Sequence, residues 1–186
     1  MIRRTLQDVI ENDMFQGKAI IVIGARQVGK STLFKMLLEH RDEPVLRMNC
    51  DEPEVRTLLT DAGTSDLKLL IGKNKIVMID EAQSVPGIGM TLKRIVDNFP
   101  DIQLLVTGSS SFELRNKLNE PLTGRKFEYQ LFPISSAEIC ASEGLLTVRQ
   151  TLEQRLIYGS YPEVFSRPEE SKKILMDIAG SYLYKD

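Results

Sequence analysis

Short apolar runs alternate along the chain with stretches in which apolar residues return every three or four positions. That alternation predicts a parallel sheet with crossover helices. Leu6, Val9, Ile10 and Met14 recur at helical spacing and predict an opening helix. Ala19 to Ile23 is apolar at every position, as in a central parallel strand buried on both faces. A Gly-rich turn follows, then a helix carrying Leu33, Phe34, Leu37 and Leu38. Further strands are predicted at Val45–Met48, Ile76–Ile79, Ile102–Val106 and Lys126–Leu131. Between them lie short helical pieces at 54–59 and 67–71, and a helix through Leu92, Ile95, Val96 and Phe99 that stops at Pro100.

After Pro133 the strand signal fades, so residues 1–133 read as an α/β core and residues 134–186 as a helical extension. Ser135 with Glu138 three residues on is a capping-box pattern that opens a helix over 135–143. Stretches 151–158 and 169–184 are helical in period. The last residues, Tyr182 to Asp186, read as helix without a stop signal, which predicts that the chain is part of a longer protein.

Composition narrows the class. The 186 residues are 42% hydrophobic, enough for one sizeable core, and 24 basic residues against 26 acidic ones give a net charge of −2. The broad basic footprint of a dedicated nucleic-acid binder is missing, although a local basic patch remains compatible with these numbers. Cys50 and Cys140 stand far apart without metal-ligand spacing and read as reduced thiols. His40, the lone histidine, sits at a helix end. No run approaches the ~18 apolar residues of a membrane-spanning helix, and Asp8, Glu11 and Asp13 break the N-terminal stretch. The expected location is the cytoplasm, with no membrane partner.

Gly24-Ala25-Arg26-Gln27-Val28-Gly29-Lys30-Ser31 matches G-x-x-x-x-G-K-[ST] at every fixed position, with Thr32 following. Glycines let the backbone wrap so that N–H groups face phosphate oxygens, and the next helix adds its positive end. Lys30 then supplies a cation between β- and γ-phosphates, and the Ser31 hydroxyl ligates Mg²⁺. A buried strand before the match and a helix after it are the context that this chemistry requires. The ligand expected in this loop is a nucleoside triphosphate, with ATP and Mg²⁺ as the pair.

Downstream, Ile76 to Ile79 presents Asp80 and Glu81 at a strand end. Asp80 is the candidate metal residue, and Glu81 the candidate base for a water attacking the γ-phosphate. Thr107-Gly108-Ser109-Ser110 ends the next strand, where Ser109 or Thr107 reads either as a γ-phosphate sensor or as part of a polar turn. In nucleoside triphosphatases with such an acidic pair, this strand commonly lies between the phosphate-loop strand and the acidic strand. Arg125 reads either as an arginine finger or as a surface arginine opening a strand, and Arg26 either as a phosphate contact or as a structural residue.

Taken in order, these pieces resemble the ATPase domain of AAA-type, archaeal-ATPase-like proteins, allied to the STAND nucleoside triphosphatases. The resemblance rests on Arg3-Arg4, the Gly24–Leu33 loop region, Ile79-Asp80-Glu81-Ala82-Gln83 and Thr107-Gly108-Ser109-Ser110. It continues through Gly124-Arg125, Leu131-Phe132-Pro133-Ile134 and Gly159-Ser160-Tyr161-Pro162-Glu163-Val164. It implies a three-layer P-loop α/β/α fold with a mostly parallel five-stranded sheet of order 5-1-4-3-2. It also implies a helical extension, a further C-terminal domain, and more weight on Arg125 as a finger, in its own subunit or a neighbour. Ala25, Ser31 and Ser160 depart from the commoner proline, threonine and glycine, and none argues against binding. Tyr161-Pro162-Glu163-Val164 reads as a helix-boundary turn in preference to direct chemistry.

The expected function is an ATPase switch whose hydrolysis drives a conformational change in an attached domain, protein partner or homo-oligomer. The alternatives are a DNA-associated motor, a nucleotide-binding interaction module with little hydrolysis, and, less favoured, a P-loop kinase. Glu81 beside Asp80 favours hydrolysis, since it provides a base for water.

Overall fold

A computed structural model describes residues 2–109 and 121–183. The expectations at Ser110 and at Tyr184 to Asp186 lie outside those residues. Strands β1 (Ala19–Gly24), β2 (Val45–Asn49), β3 (Ile76–Asp80), β4 (Gln103–Ser109) and β5 (Lys126–Leu131) form one sheet. Its order is β2-β3-β4-β1-β5 and every pairing is parallel. This is the expected order read from the other edge, with "mostly parallel" sharpened to wholly parallel.

The layers follow from the two-residue period of the strands. Ile20 and Val22 of β1 pack with Met78 and Leu105 against α1 (Thr5–Asp13) and α2 (Lys30–Leu38). Ile21 and Ile23 point the other way, with Val77, Ile79, Leu104 and Val106. They meet Leu59 of α3 (Pro53–Leu59), Leu67 of α4 (Thr64–Ile71) and Leu92 of α5 (Ile88–Asn98). With both faces covered, β1 is buried at all six positions, which is why it reads as continuously apolar.

Several boundaries differ from expectation. β4 runs on through Thr107 and Gly108 to Ser109, because β1 continues to Gly24 and pairs Gly24 with Ser109. After β5 the described residues are helical: α6 (Ser136–Glu143), α7 (Leu145–Gln150), α8 (Leu152–Tyr158), α9 (Pro162–Ser166) and α10 (Ser171–Leu183). Short α7 and α9 escape periodic reading because six or five residues give fewer than two turns of pattern.

The capping box at Ser135 is present, and its acid does more than cap. Ser135 Oγ accepts from the Glu138 N–H at 3.1 Å, while the Glu138 carboxylate accepts from the Ser135 N–H at 2.8 Å. The same carboxylate accepts from the Thr5 N–H at 2.9 Å and from Arg4 Nε at 3.1 Å. Burial pushes the Glu138 carboxyl up, but the Ser135 and Thr5 amides and the Arg4 charge outweigh it, so it lies below the usual carboxylate value. The folded state therefore holds fewer protons on this group than the unfolded chain. Its stabilising contribution is complete above the unfolded value of about 4.3 and is lost as pH falls through the depressed folded value. In urea unfolding between pH 7 and pH 3, Glu138→Gln is expected to be less stable at pH 7 and to lose less on acidification than the wild type. Parallel acid limbs for the two proteins would contradict this assignment.

Candidate functional site

β1 delivers the chain to the carboxyl edge of the sheet, where ligand crevices of open parallel sheets form. Gly24 ends the strand beside β5, and a β-carbon there would lie 2.6 Å from the Leu131 carbonyl oxygen, so only glycine fits. The loop then reverses twice through left-handed backbone, at Gln27 (φ 59°) and Gly29 (φ 99°). Gly29 is the N-cap of α2, and with no side chain it leaves the helix's first N–H groups unmasked. Ser31 is half-buried and Thr32 exposed in the first turn; Ala25 and Arg26 are half-buried in the loop, Gln27 is exposed and Val28 buried.

Lys30, only 4% exposed, folds back across the loop. Its Nζ donates to the carbonyls of Gly24 at 3.1 Å and Ala25 at 3.0 Å and lies 4.0 Å from Glu81 Oε1. Burial lowers its pKa, and the charges of Glu81 and Asp80 partly oppose that shift. The loop cation and the acidic pair, about fifty residues apart in sequence, thus occupy one electrostatic site.

Asp80 and Glu81 sit at the end of β3, held by the strand between β3 and β1. Thr107 of β4 is fully buried; its hydroxyl donates to Asp80 Oδ1 and accepts from the Glu81 N–H at 3.1 Å. Glu81 is a non-glycine residue in left-handed backbone (φ 52°, ψ 44°), a conformation costing on the order of 1–3 kcal/mol unless the surroundings enforce it. Gln83, in the 3₁₀ turn Ala82–Ser84, orients the Glu81 carboxylate. Its amide nitrogen donates to Glu81 Oε2, and its carbonyl oxygen accepts from the Ser109 N–H at 3.1 Å. Of the two sensor candidates, Thr107 touches the acids directly and Ser109 reaches them through Gln83. The sequence contained Gln83 two residues after Glu81, but nothing in that spacing announces the bridge to β4, which depends on the sheet order.

Arg125 falls elsewhere. It immediately precedes β5, whose Lys126 pairs with Ala19 at the amino end of β1, while the loop hangs from the carboxyl end. The sheet length between them is about 17 Å at ~3.3 Å per residue, more than an arginine side chain spans. Arg125 Nε instead pairs with Asp97 of α5 at 2.6 Å, and both are partly exposed. Within its own subunit Arg125 does not reach the loop.

Beside the loop, on the side of the helical extension, lies a cleft of about 810 Å³ lined by Ile2, Thr32, Ile134, Pro162 and Phe165 among others. A second hollow, about 300 Å³, fronts Asp80 with Asn49, Lys35 and Arg47 along its walls. The residues fit Mg²⁺ chemically, because a hydroxyl at Ser31 and a carboxylate at Asp80 are hard oxygen donors, and Mg²⁺ takes few protein ligands when phosphates supply the rest.

The sequence family described as AAA domain matches residues 16–140, from the approach to β1 through most of α6. The chain belongs to the AAA domain family. Uncharacterised relatives include a protein of Methanocaldococcus jannaschii, 24% identical over 95% of this chain and 43% of its own length. Another, from Mycobacterium tuberculosis, is 27% identical over 66% of this chain and 27% of its own length. The chain therefore spans less than half the length of these curated relatives. Among solved structures, a Walker-type ATPase of Pyrococcus abyssi superimposes with a TM-score of 0.57 at 17% identity, over 97% of this chain and 75% of the other. The Aeropyrum pernix ORC1 protein, solved in complex with DNA, gives 0.56 at 13% identity over 81% and 50%. At these identities the superpositions speak to fold alone. Together with the family they make this AAA domain a P-loop α/β domain of the ATPase type, and membership implies nucleotide binding. No helix among its described residues is long and apolar enough to cross a membrane.

The dependence of the acidic pair on Thr107 has a measurable consequence in the absence of any ligand. Thr107→Val keeps the shape but leaves the Glu81 N–H and Asp80 without that partner, at an expected cost of about 1–3 kcal/mol in urea unfolding. Thr107→Ser, which keeps the hydroxyl, is expected to recover most of the loss. Equal stability of Thr107→Val and wild type would remove Thr107 from this role.

Proposed function

We propose that this chain binds ATP with Mg²⁺ at the Gly24–Ser31 loop and hydrolyses it, the energy moving an attached domain or partner. One observation carries the reading. Lys30, folded across the loop, lies 4.0 Å from Glu81, beside Asp80 and Thr107 at the ends of β3 and β4. A cation for phosphate and an acid for water therefore meet where β1, β3 and β4 end.

In this reading the loop amides and the N-terminus of α2 cradle the phosphates, and Lys30 exchanges its carbonyl contacts for phosphate oxygens. Ser31 and Asp80 are the residues that would hold Mg²⁺, which when bound neutralises charge on the transferring group. Glu81 accepts the proton of the attacking water, and Gln83 holds the Glu81 carboxylate in line with Ser109 of β4. The cleft past Thr32 and Ile2 takes the nucleoside. Residues 1–133 act as the catalytic core and residues 134–186 as the extension that senses it.

Because Arg125 stands at the opposite edge of the sheet, a finger role requires a second molecule presenting that edge to this site. Since such a residue contributes about 10³–10⁵ in rate, the isolated chain is expected to hydrolyse ATP slowly.

The test is phosphate release from ATP without added acceptor. Glu81→Gln is expected to lower kcat by about 10²–10⁴-fold while ATP affinity stays within about threefold, because only the transition state uses the base. Gln83→Leu is expected to lower kcat by a smaller factor. Unchanged phosphate release in Glu81→Gln would overturn the hydrolytic assignment. ADP formation that requires an added phosphoryl acceptor and leaves no free phosphate would point to a kinase.

A further inference from the structure

Arg4 is buried to 6% exposure in a segment that precedes the first helix, distant in sequence from the loop and the acidic pair. Its guanidinium is spread over three parts of the chain. Nε donates to the Glu138 carboxylate of α6 at 3.1 Å, Nη1 to the Val28 carbonyl inside the phosphate loop at 3.2 Å, and Nη2 to the Phe132 carbonyl just beyond β5. A methyl group placed on Gly29 would lie 3.9 Å from Arg4 Nη1 and 3.7 Å from Pro162 Cγ, so the start of α9 closes on the same loop residue. The Ile134 N–H donates to the Ser160 carbonyl at 2.9 Å, tying the exit of β5 to the segment that leads into α9.

Burying an arginine with a carboxylate is costly, and the attraction offsets that cost only where geometry and hydrogen bonds are complete. Here they are distributed so that one rigid, planar cation reports on the loop and the extension at once. A lysine in its place carries all its donors on one nitrogen and cannot reach the three separate directions of the fork.

We infer that Arg4 is a positioning residue for the phosphate loop, and that through its contacts with Val28 and Glu138 the loop and the helical extension respond to nucleotide as one unit. The inference rests on the ATP-binding reading above and names the link by which that reading reaches the extension. When phosphate draws the loop backbone inward, the Val28 carbonyl moves with it. Arg4 then carries the displacement to Glu138, at the first turn of α6, and the adjoining Pro162 senses it at α9. The coupling is reciprocal, so anything that shifts α6 or α9 changes the affinity of the loop for nucleotide.

The experiment compares wild type, Arg4→Lys and Arg4→Met by hydrogen exchange and by ATP titration, with Mg²⁺ and a non-hydrolysable ATP analogue as the probe. Arg4→Lys keeps a cation beside Glu138 and so guards against a mere folding defect. In the wild type the analogue is expected to slow exchange both in the loop and in 136–143 and 162–166. In Arg4→Lys, affinity is expected to fall about fivefold or more. Protection at saturating analogue should then stay confined to the loop. A purely structural role predicts a different pattern, with faster exchange everywhere and full nucleotide-dependent protection of the extension, and that pattern overturns the inference. Wild type that binds the analogue without any change in 136–143 and 162–166 overturns it too. Wild type that does not bind at all defeats the ATP-binding reading itself, and the two failures are told apart by the titration.

Discussion

The site hangs from one strand. β1 is apolar at every position and flanked on both sides by parallel neighbours, so its path through the core has no slack. A slip of one residue would turn each isoleucine to the wrong face of the sheet. Because β1 cannot slide, Gly24 arrives beside the Leu131 carbonyl and the loop starts from a fixed point. β4, lying between β1 and β3, fixes the other half by bringing Thr107 under both acids. The chemistry is held by strand order before any side chain in the loop matters.

This arrangement accumulates local costs against the stability of the core. Lys30 is buried with its charge, Glu81 holds a left-handed backbone, and Gln27 and Gly29 reverse the loop. Specific partners stand beside these costs: loop carbonyls for Lys30, Thr107 at the Glu81 N–H with Gln83 at its carboxylate, and Arg4 on the loop carbonyl at Val28. Strain met by identifiable partners in a single small region is the pattern of a site prepared for a ligand that takes over some of those contacts.

Much of this was legible in the residues alone, for physical reasons that differ from element to element. The strands and α2 show themselves because burial on two faces, or on one helical stripe, writes a period into the chain. The loop is legible because phosphate binding demands glycines and a lysine at fixed spacing, and the strand order followed once the acidic strand and the resemblance were in view. What stayed hidden depends on contacts across the sequence. Arg125 looked like a finger by its neighbours, and only the register of β5 against β1 puts it at the far edge. Arg4 and Gln83 belong to segments that carry the resemblance, yet their roles stayed hidden, because a bridge to Ser109 or a fork over Val28, Phe132 and Glu138 exists only after folding. The tyrosine-proline segment did prove to be a helix boundary, yet that boundary abuts Gly29, which spacing could not show.

A triphosphate site in the loop requires Lys30 as its cation, and direct titration of ATP into the protein reads this most simply. With Mg²⁺ present, calorimetry should show one saturable site per chain. Lys30→Ala should weaken it by about 10–100-fold, the loss of a charge-assisted contact, while leaving the fold intact by circular dichroism. Absence of binding to the wild type, or equal binding by wild type and Lys30→Ala, would contradict the account at its centre.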